Sequence, residues 1–197
     1  MAREMEPKSI VILISGTPGT GKTTVSSLLS RELHGEHIDL THLVKERGLS
    51  QGWDDIRATT IADLKALRIA VVKILDDSKK PVIIDGHYSP DIVSREKVTL
   101  IIVLRRAPWV LREDLRARGY SPIKIRENVE AELLGTCLVD ALATQDTRKI
   151  CEIDTTRMDP KETVKLIIAI LEGDTDCHHG VIDWMNFPEV ETLLGEL

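Results

Sequence analysis

Apolar positions along the chain follow two different rhythms. Short unbroken apolar runs, the mark of strands buried on both faces, occur at Ser9 to Ile14 (SIVILI), Pro81 to Asp85 (PVIID), Val98 to Leu104 (VTLIIVL) and Ile150 to Ile153. His37 to Leu40 is a further short strand candidate. Between these runs the apolar residues fall three and four apart, as on one face of a helix. Val25, Leu28, Leu29 and Leu33 do so after Lys22. Residues 42–79 read as helical with a break around Gly48 to Trp53, and Ile56 to Leu75 is rich in Ala, Leu and Ile. Pro108 suits the first turn of a helix running to about Arg118 and stopping near Gly119. Ile123 to Ala143 repeats the helical pattern, and Asp159-Pro160 opens a last helix through Leu171.

Strands that alternate with helices predict an α/β fold, a parallel sheet covered by helices on both faces. The 197 residues suit a single domain, with no internal repeat, low-complexity tract or linker to divide them. The pattern changes in the last stretch, about 172–197. It has no Lys or Arg but carries Glu172, Asp174, Asp176, Asp183, Glu189, Glu191 and Glu196. This reads as an acidic appendage with a small apolar element around Val181 to Phe187.

Composition adds exclusions. Apolar residues make up 42% and charged residues 29%, an ordinary globular balance. Aromatics are only 3%, so the core must be aliphatic. A formal charge of -6 argues against direct nucleic-acid binding, which usually goes with a basic surface. Cys137, Cys151 and Cys177 are an odd, scattered set that does not read as a disulfide framework, and a reducing cytoplasm is expected. Met1 to Lys8 is short and charged, and the apolar run after it is too brief for a signal peptide or a membrane span.

Candidate chemistry begins where the first strand ends. Gly16-Thr17-Pro18-Gly19-Thr20-Gly21-Lys22-Thr23 fits the phosphate-loop pattern G-x-x-x-x-G-K-[ST], with a buried strand before it and an amphipathic helix after it. Gly19 and Gly21 let the backbone approach oxygen atoms closely. The loop N–H groups form an anion nest, and the helix that follows points its positive end at the phosphates. Lys22 supplies a mobile cation for the β- and γ-phosphates of ATP, and Thr23 a hydroxyl for Mg²⁺.

Asp85 ends the strand PVIID, on the sheet edge where open α/β sheets bind ligands. It is a candidate to hold Mg²⁺ directly or through water; a helix cap or turn aspartate is the plain alternative. His87 lies two residues on and could orient or deprotonate a nucleophile, or serve structure alone. Arginines can stabilise the charge that phosphoryl transfer spreads. The candidates are Arg105 and Arg106 at the end of VTLIIVL, Arg112 and Arg116 on one helix face, and Arg118 at the Arg-Gly-Tyr break, where a mobile segment could start.

Together these residues resemble the atypical adenylate kinases linked to small ribosomal subunit assembly, especially archaeal members. The resemblance rests on GTPGTGKTT at Gly16 to Thr24, Asp85-x-His87, Arg118-Gly119-Tyr120, Glu127 to Glu132 (ENVEAE) and Val181 to Trp184 (VIDW), and spans about Ile10 to Trp184. It implies a core with an NMP-binding insert at about 39–62 and a lid at about 117–127. It implies ATP:AMP phosphotransferase activity with broad monophosphate acceptance, ATPase activity, and a part in small-subunit rRNA maturation. It assigns phosphate contacts to Gly19, Gly21, Lys22, Thr23 and Thr24, turnover to Asp85 and His87, and a lid contact to Arg118. It also implies a partner, a basic platform ribosomal protein of the small subunit, which an acidic, lysine-free tail could hold by charge complementarity. Lys45 stands where related chains often carry arginine, and lysine lacks the bidentate fork for a monophosphate.

Other classes are less well served. There is no Asn-Lys-x-Asp to read guanine and no transport-ATPase signature. A small-metabolite kinase of the same fold, or an ATP-switched assembly factor with incidental kinase activity, stays open. Intact Lys22, Thr23 and Asp85 argue against a dead binding module. Cys177-His178-His179 lacks a second ligand pair and reads as surface tail rather than metal site. Trp53, Trp109 and Trp184 read as packing residues, with Trp53 the best candidate to stack on a base.

Overall fold

The computed structural model describes residues 10–55 and 59–196. The charged segment Met1 to Lys8, Ser9 of the first predicted strand, residues 56–58 at the start of the predicted Ile56 to Leu75 helix, and Leu197 lie outside the described residues.

The first strand, β1 (Val11–Gly16), runs through a glycine-rich loop into α1 (Lys22–Glu32). Then follow β2 (Glu36–Asp39), α2 (Leu40–Glu46), β3 (Ser50–Asp54), β4 (Thr59–Ala62), α3 (Leu64–Asp77), β5 (Val82–Asp85) and the single turn α4 (Ser89–Ile92). The second half holds β6 (Leu100–Arg105), α5 (Pro108–Ala117), α6 (Pro122–Leu133), α7 (Thr136–Thr144), β7 (Ile150–Asp154), α8 (Pro160–Glu172) and α9 (Glu189–Gly195). Five strands form one parallel sheet in the order β2-β5-β1-β6-β7.

Alternate residues of β1 feed opposite faces of that sheet. Val11 and Leu13 pack with Leu43, Leu67, Val71 and Leu138 from α2, α3 and α7. Ile12 and Ile14 pack with Val25, Leu29, Val164 and Ile167 from α1 and α8. The sheet is therefore covered on both faces, as the alternation of elements predicts. The parallel register also brings Gly16, Asp39, Asp85, Arg105 and Asp154 to the same edge, at the strands' C-terminal ends.

Four sequence expectations change. Residues 59–62, expected to be helical, form β4, which pairs antiparallel with β3, and α3 starts only at Leu64, where the Asp63 carboxylate accepts from Ala66 N at 2.9 Å. The β-branched Thr59, Thr60 and Ile61 favour extended backbone there. The long pattern Ile123 to Ala143 is two helices, broken at Gly135, whose φ of 65° is left-handed. The acidic appendage folds back onto the body: Trp184 lies in a single 3-10 turn capped by Asp183, and Val190 and Leu193 of α9 are buried. Finally, Cys151 and Cys177 are disulfide-bonded and only Cys137 is free among the described residues. Twenty-six residues separate the pair in sequence, but the chain leaves β7, runs along α8 and returns beside the strand it left.

Candidate active site

The loop after β1 is built to leave amide groups exposed. Gly21 caps α1 in a left-handed conformation, φ 94°, with no side chain on the first-turn N–H groups and no acid in that turn. Those amides and the helix dipole remain available to an anion. Gly19 has φ 102°, and a Cβ there would stand 2.6 Å from Leu111 Cδ1. Glycine is required at this position both for its backbone angle and for close packing on α5.

Around this loop lies an open cleft of about 600 Å³. Gly19, Gly21, Lys22, Thr23, Thr24, Asp85, His87 and Arg118 all line it, so the fold gathers the loop, the strand-end acid, the histidine and one of the candidate arginines into one place. The Lys22 ammonium donates to Gly16 O at 2.7 Å and Thr17 O at 3.0 Å, and loss of water around it lowers its pKa. Thr23 Oγ1 donates to Asp85 Oδ2 at 2.8 Å. Asp85 is buried, and its other oxygen contacts His37 Nε2 across the β2–β5 pair. His87 is exposed at the cleft, its ring lying edge-on to Tyr88. The protein packed around its ring, and then the Lys22 charge, push its pKa down to about 4, so the imidazole is neutral at neutral pH. Arg118 caps the end of α5, immediately before Gly119 at φ 73°.

A second cavity of about 310 Å³ adjoins the loop on its other side and shares Gly19, Gly21, Thr24 and Arg118 with the cleft. Its remaining wall includes Arg106, Thr155 and Met158. Arg106 is held there by Asp114 at 2.6 Å and Thr155 O at 3.0 Å.

The other arginines are placed differently from the sequence expectation. Arg105 does not reach the cleft. It is 2% exposed and its guanidinium is consumed by Glu132 and Glu152. Burial opposes its charge, but the two carboxylates outweigh that and its pKa is raised. Arg112 and Arg116 pair with Glu113 and, for Arg112, Glu196, beside a separate cavity. Lys45 is exposed on α2 and Trp53 is exposed on β3, both outside the lining of the cleft. Trp109 and Trp184 pack on one another and on Phe187.

Several cleft residues escape sequence reasoning. Asp39 and Thr41 come from the end of β2 and α2, Thr59 from the hairpin, Lys124 and Asn128 from α6, and Cys137 and Asp140 from α7. Asp39 carries a usable signal, an acid ending a strand on the same edge as Asp85. Asn128 lies within the stretch Glu127 to Glu132 (ENVEAE), and the others are single polar residues on helices or the hairpin that carry no signal of their own.

Among the described residues no group of three or more His, Cys, Asp and Glu could hold a metal alone. Thr23 Oγ1 and Asp85 offer oxygen donors at one point beside the phosphate loop. That set fits Mg²⁺, which takes one or two protein oxygens and fills its shell with phosphate oxygens and water.

Comparison with known proteins gives three results. Residues 12–135 match a family model described as "AAA domain". The chain is 37% identical over 175 residues to a Thermococcus onnurineus protein named "Putative adenylate kinase", covering 89% of this chain and 91% of the relative. A Methanosarcina barkeri protein of the same name is 39% identical over 189 residues, 90% of this chain and 98% of the relative. In fold, the chain is similar to shikimate kinase from Bacteroides thetaiotaomicron, with a TM-score of 0.58 at 20% identity over 83% of this chain and 98% of that one. It is also similar to a gluconokinase from Sinorhizobium meliloti, with a TM-score of 0.54 at 17% identity over 85% and 94%.

Proposed function

The chain belongs to the AAA domain family and to the group of archaeal proteins named "Putative adenylate kinase", and from that premise we propose that it is a nucleoside monophosphate kinase. The reaction is transfer of the γ-phosphoryl of ATP to AMP or another nucleoside monophosphate, with slower transfer to water. The observation that carries this reading is the gathering of Lys22, the Thr23–Asp85 pair, His87 and Arg118 around one cleft floored by an uncapped helix N-terminus.

Each group has a role that follows from its surroundings. The loop amides and Lys22 hold the β- and γ-phosphates, and a lysine already turned toward the loop carbonyls needs little reorganisation to meet them. Mg²⁺, when bound with ATP, would neutralise charge between these phosphates, held by Thr23 and Asp85 with Asp85 acting directly or through water. Arg118, beside the left-handed Gly119, closes over the transferred group from the lid, about 117–127. The neutral His87 donates one hydrogen bond and accepts another, which orients the acceptor oxygen or a water. The smaller cavity beside Arg106 and Thr155 takes the donor's nucleoside. Thr41 and Thr59 line the cleft, which supports reading the β3–β4 pair as part of the NMP-binding insert at about 39–62.

A second reading is favoured by one feature. All seven acids of residues 172–196 are exposed, with no Lys or Arg among them. Such a surface suits a basic ribosomal protein, and ATP turnover would then serve small-subunit assembly. Comparing ATP turnover with and without monophosphate separates the two readings. A new diphosphate formed in step with ADP supports the kinase; free phosphate alone, stimulated by a basic protein in a salt-sensitive way, supports the second.

A further inference from the structure

A buried carboxylate stands directly behind the phosphate loop. Glu132, near the end of α6, is 1% exposed. Its Oε2 accepts a hydrogen bond from Thr17 Oγ1 of the loop at 2.6 Å. Its Oε1 accepts from Arg105 Nε at 2.7 Å, Arg106 N at 3.2 Å and the indole Nε1 of Trp184 at 3.1 Å. A carboxylate has about four acceptor sites, and Glu132 receives these four bonds. Arg105 Nε, Arg106 N and the Trp184 indole converge on Oε1 while the Thr17 hydroxyl takes Oε2, so removing one donor shifts how the carboxylate is held and the remaining bonds must readjust.

The fourth donor belongs to the tail, which is fastened along the same line. Cys177 is bonded to Cys151 of β7. Next along the strand, Glu152 Oε2 accepts from Val181 N at 3.2 Å and from Gly180 N. Glu152 is also an ion partner of Arg105, whose Nη2 donates to Glu132 O at 3.0 Å. The strap from Cys177 to Trp184 thus crosses two acids joined by one arginine, and the far acid touches the loop. Two buried carboxylates against one guanidinium leave an excess of negative charge, so the neutral donors supplied by the strap are part of what makes the cluster tolerable.

We infer that Trp184 is a positioning residue for the phosphate loop, acting through Glu132 on Thr17, and that the C-terminal strap is a working part of the nucleotide site. The indole N–H holds Glu132 in the orientation that leaves Oε2 free to take the Thr17 hydroxyl, and Thr17 in turn sets the path of the loop whose amides meet the phosphates. The inference rests on the reading that this loop binds ATP.

The test is a double-mutant cycle on binding of the non-hydrolysable analogue adenylyl imidodiphosphate, measured by titration calorimetry. The chains are wild type, Thr17→Val, Trp184→Phe and the double variant; phenylalanine keeps a ring against Trp109 and Phe187 and removes the N–H together with part of the ring system, and the cycle separates that packing loss from coupling to Thr17. Each single change weakens binding about threefold to tenfold, the scale of one ordinary net hydrogen bond, because the effect reaches the nucleotide only through the loop. The double variant is no weaker than the worse single one, because both act on one carboxylate. Wild-type affinity in Trp184→Phe, or a double variant whose loss is the product of the single losses, overturns the inference. Should Trp184→Phe fail to fold, the Trp184 indole N–H resonance of the wild type decides: it shifts on adding the analogue, and shifts differently in Thr17→Val. A resonance that does not move overturns the inference. If the wild type does not bind the analogue at all, the underlying ATP reading falls and takes the inference with it. That outcome is distinct from tight binding without coupling.

Discussion

Thr23 Oγ1 donates to Asp85 Oδ2 at 2.8 Å, which joins the first turn of α1 to the end of β5 at the point where both meet the cleft. Asp85→Asn keeps the shape but removes the charge. It is expected to lower kcat by about a hundredfold to a thousandfold, the scale for loss of one preorganised charge-stabilising group. ATP binding without Mg²⁺ changes little, and the gain in affinity on adding Mg²⁺ disappears. Calorimetry with and without the metal checks this apart from turnover.

The depressed pKa of His87 has a direction in both rate and stability. The imidazole titrates near 6.5 in the unfolded chain and about 4 in the fold. Between these values the unfolded chain holds more proton, so stability is fully present above about 6.5 and declines as pH falls toward about 4. Solvent at the ring's open edge keeps this effect modest. His87→Gln is expected to flatten that part of the acid sensitivity in urea unfolding at pH 7 and pH 5. For the same reason, wild-type kcat has no acid limb near 6.5 arising from His87, and titration of its ring resonance by NMR reads the low pKa directly.

Gly19→Ala tests the loop's geometry rather than its charge. The new methyl meets Leu111 Cδ1 and must hold φ 102°. The expected cost is about 1–3 kcal/mol in stability, with a clear loss of ATP affinity. The paired variant Leu111→Ala in the same background restores part of the binding, because it removes the clash while leaving the backbone strain.

The Cys151–Cys177 bond closes a loop of 26 residues around α8. Its loss is expected to cost about 3 kcal/mol. The urea midpoint of the wild type falls on addition of a dithiol reductant, whereas that of Cys177→Ser does not respond.

The parts of the fold that were legible are those where local pattern and local structure coincide. Val11–Gly16, the loop and α1 are contiguous, and the loop's residue types answer to backbone geometry alone. Asp85 was readable because a strand end announces itself. Arg105 looks the same in sequence whether it faces a ligand or an acid, and the partners that bury it, Glu132 and Glu152, lie 27 and 47 residues away. The same distance hides the Thr17–Glu132 bond, 115 residues apart, and the His37–Asp85 contact, 48 apart. Residues 59–62 are hard to place from sequence because a short apolar stretch fits a helix face as well as a strand. The tail is hard to read because its exposed acids mask three buried anchors, Trp184, Val190 and Leu193, and the Cys177 disulfide.

The central claim is phosphoryl transfer from ATP to a nucleoside monophosphate at the Lys22–Asp85 cleft. Its most direct test is ATP turnover with and without each monophosphate, with ADP, new diphosphate and free phosphate resolved, and Lys22→Ala as control. The account predicts that AMP yields two diphosphates per ATP consumed and that Lys22→Ala abolishes the yield. Free phosphate as the sole product alongside ADP, unchanged by any monophosphate, would contradict it.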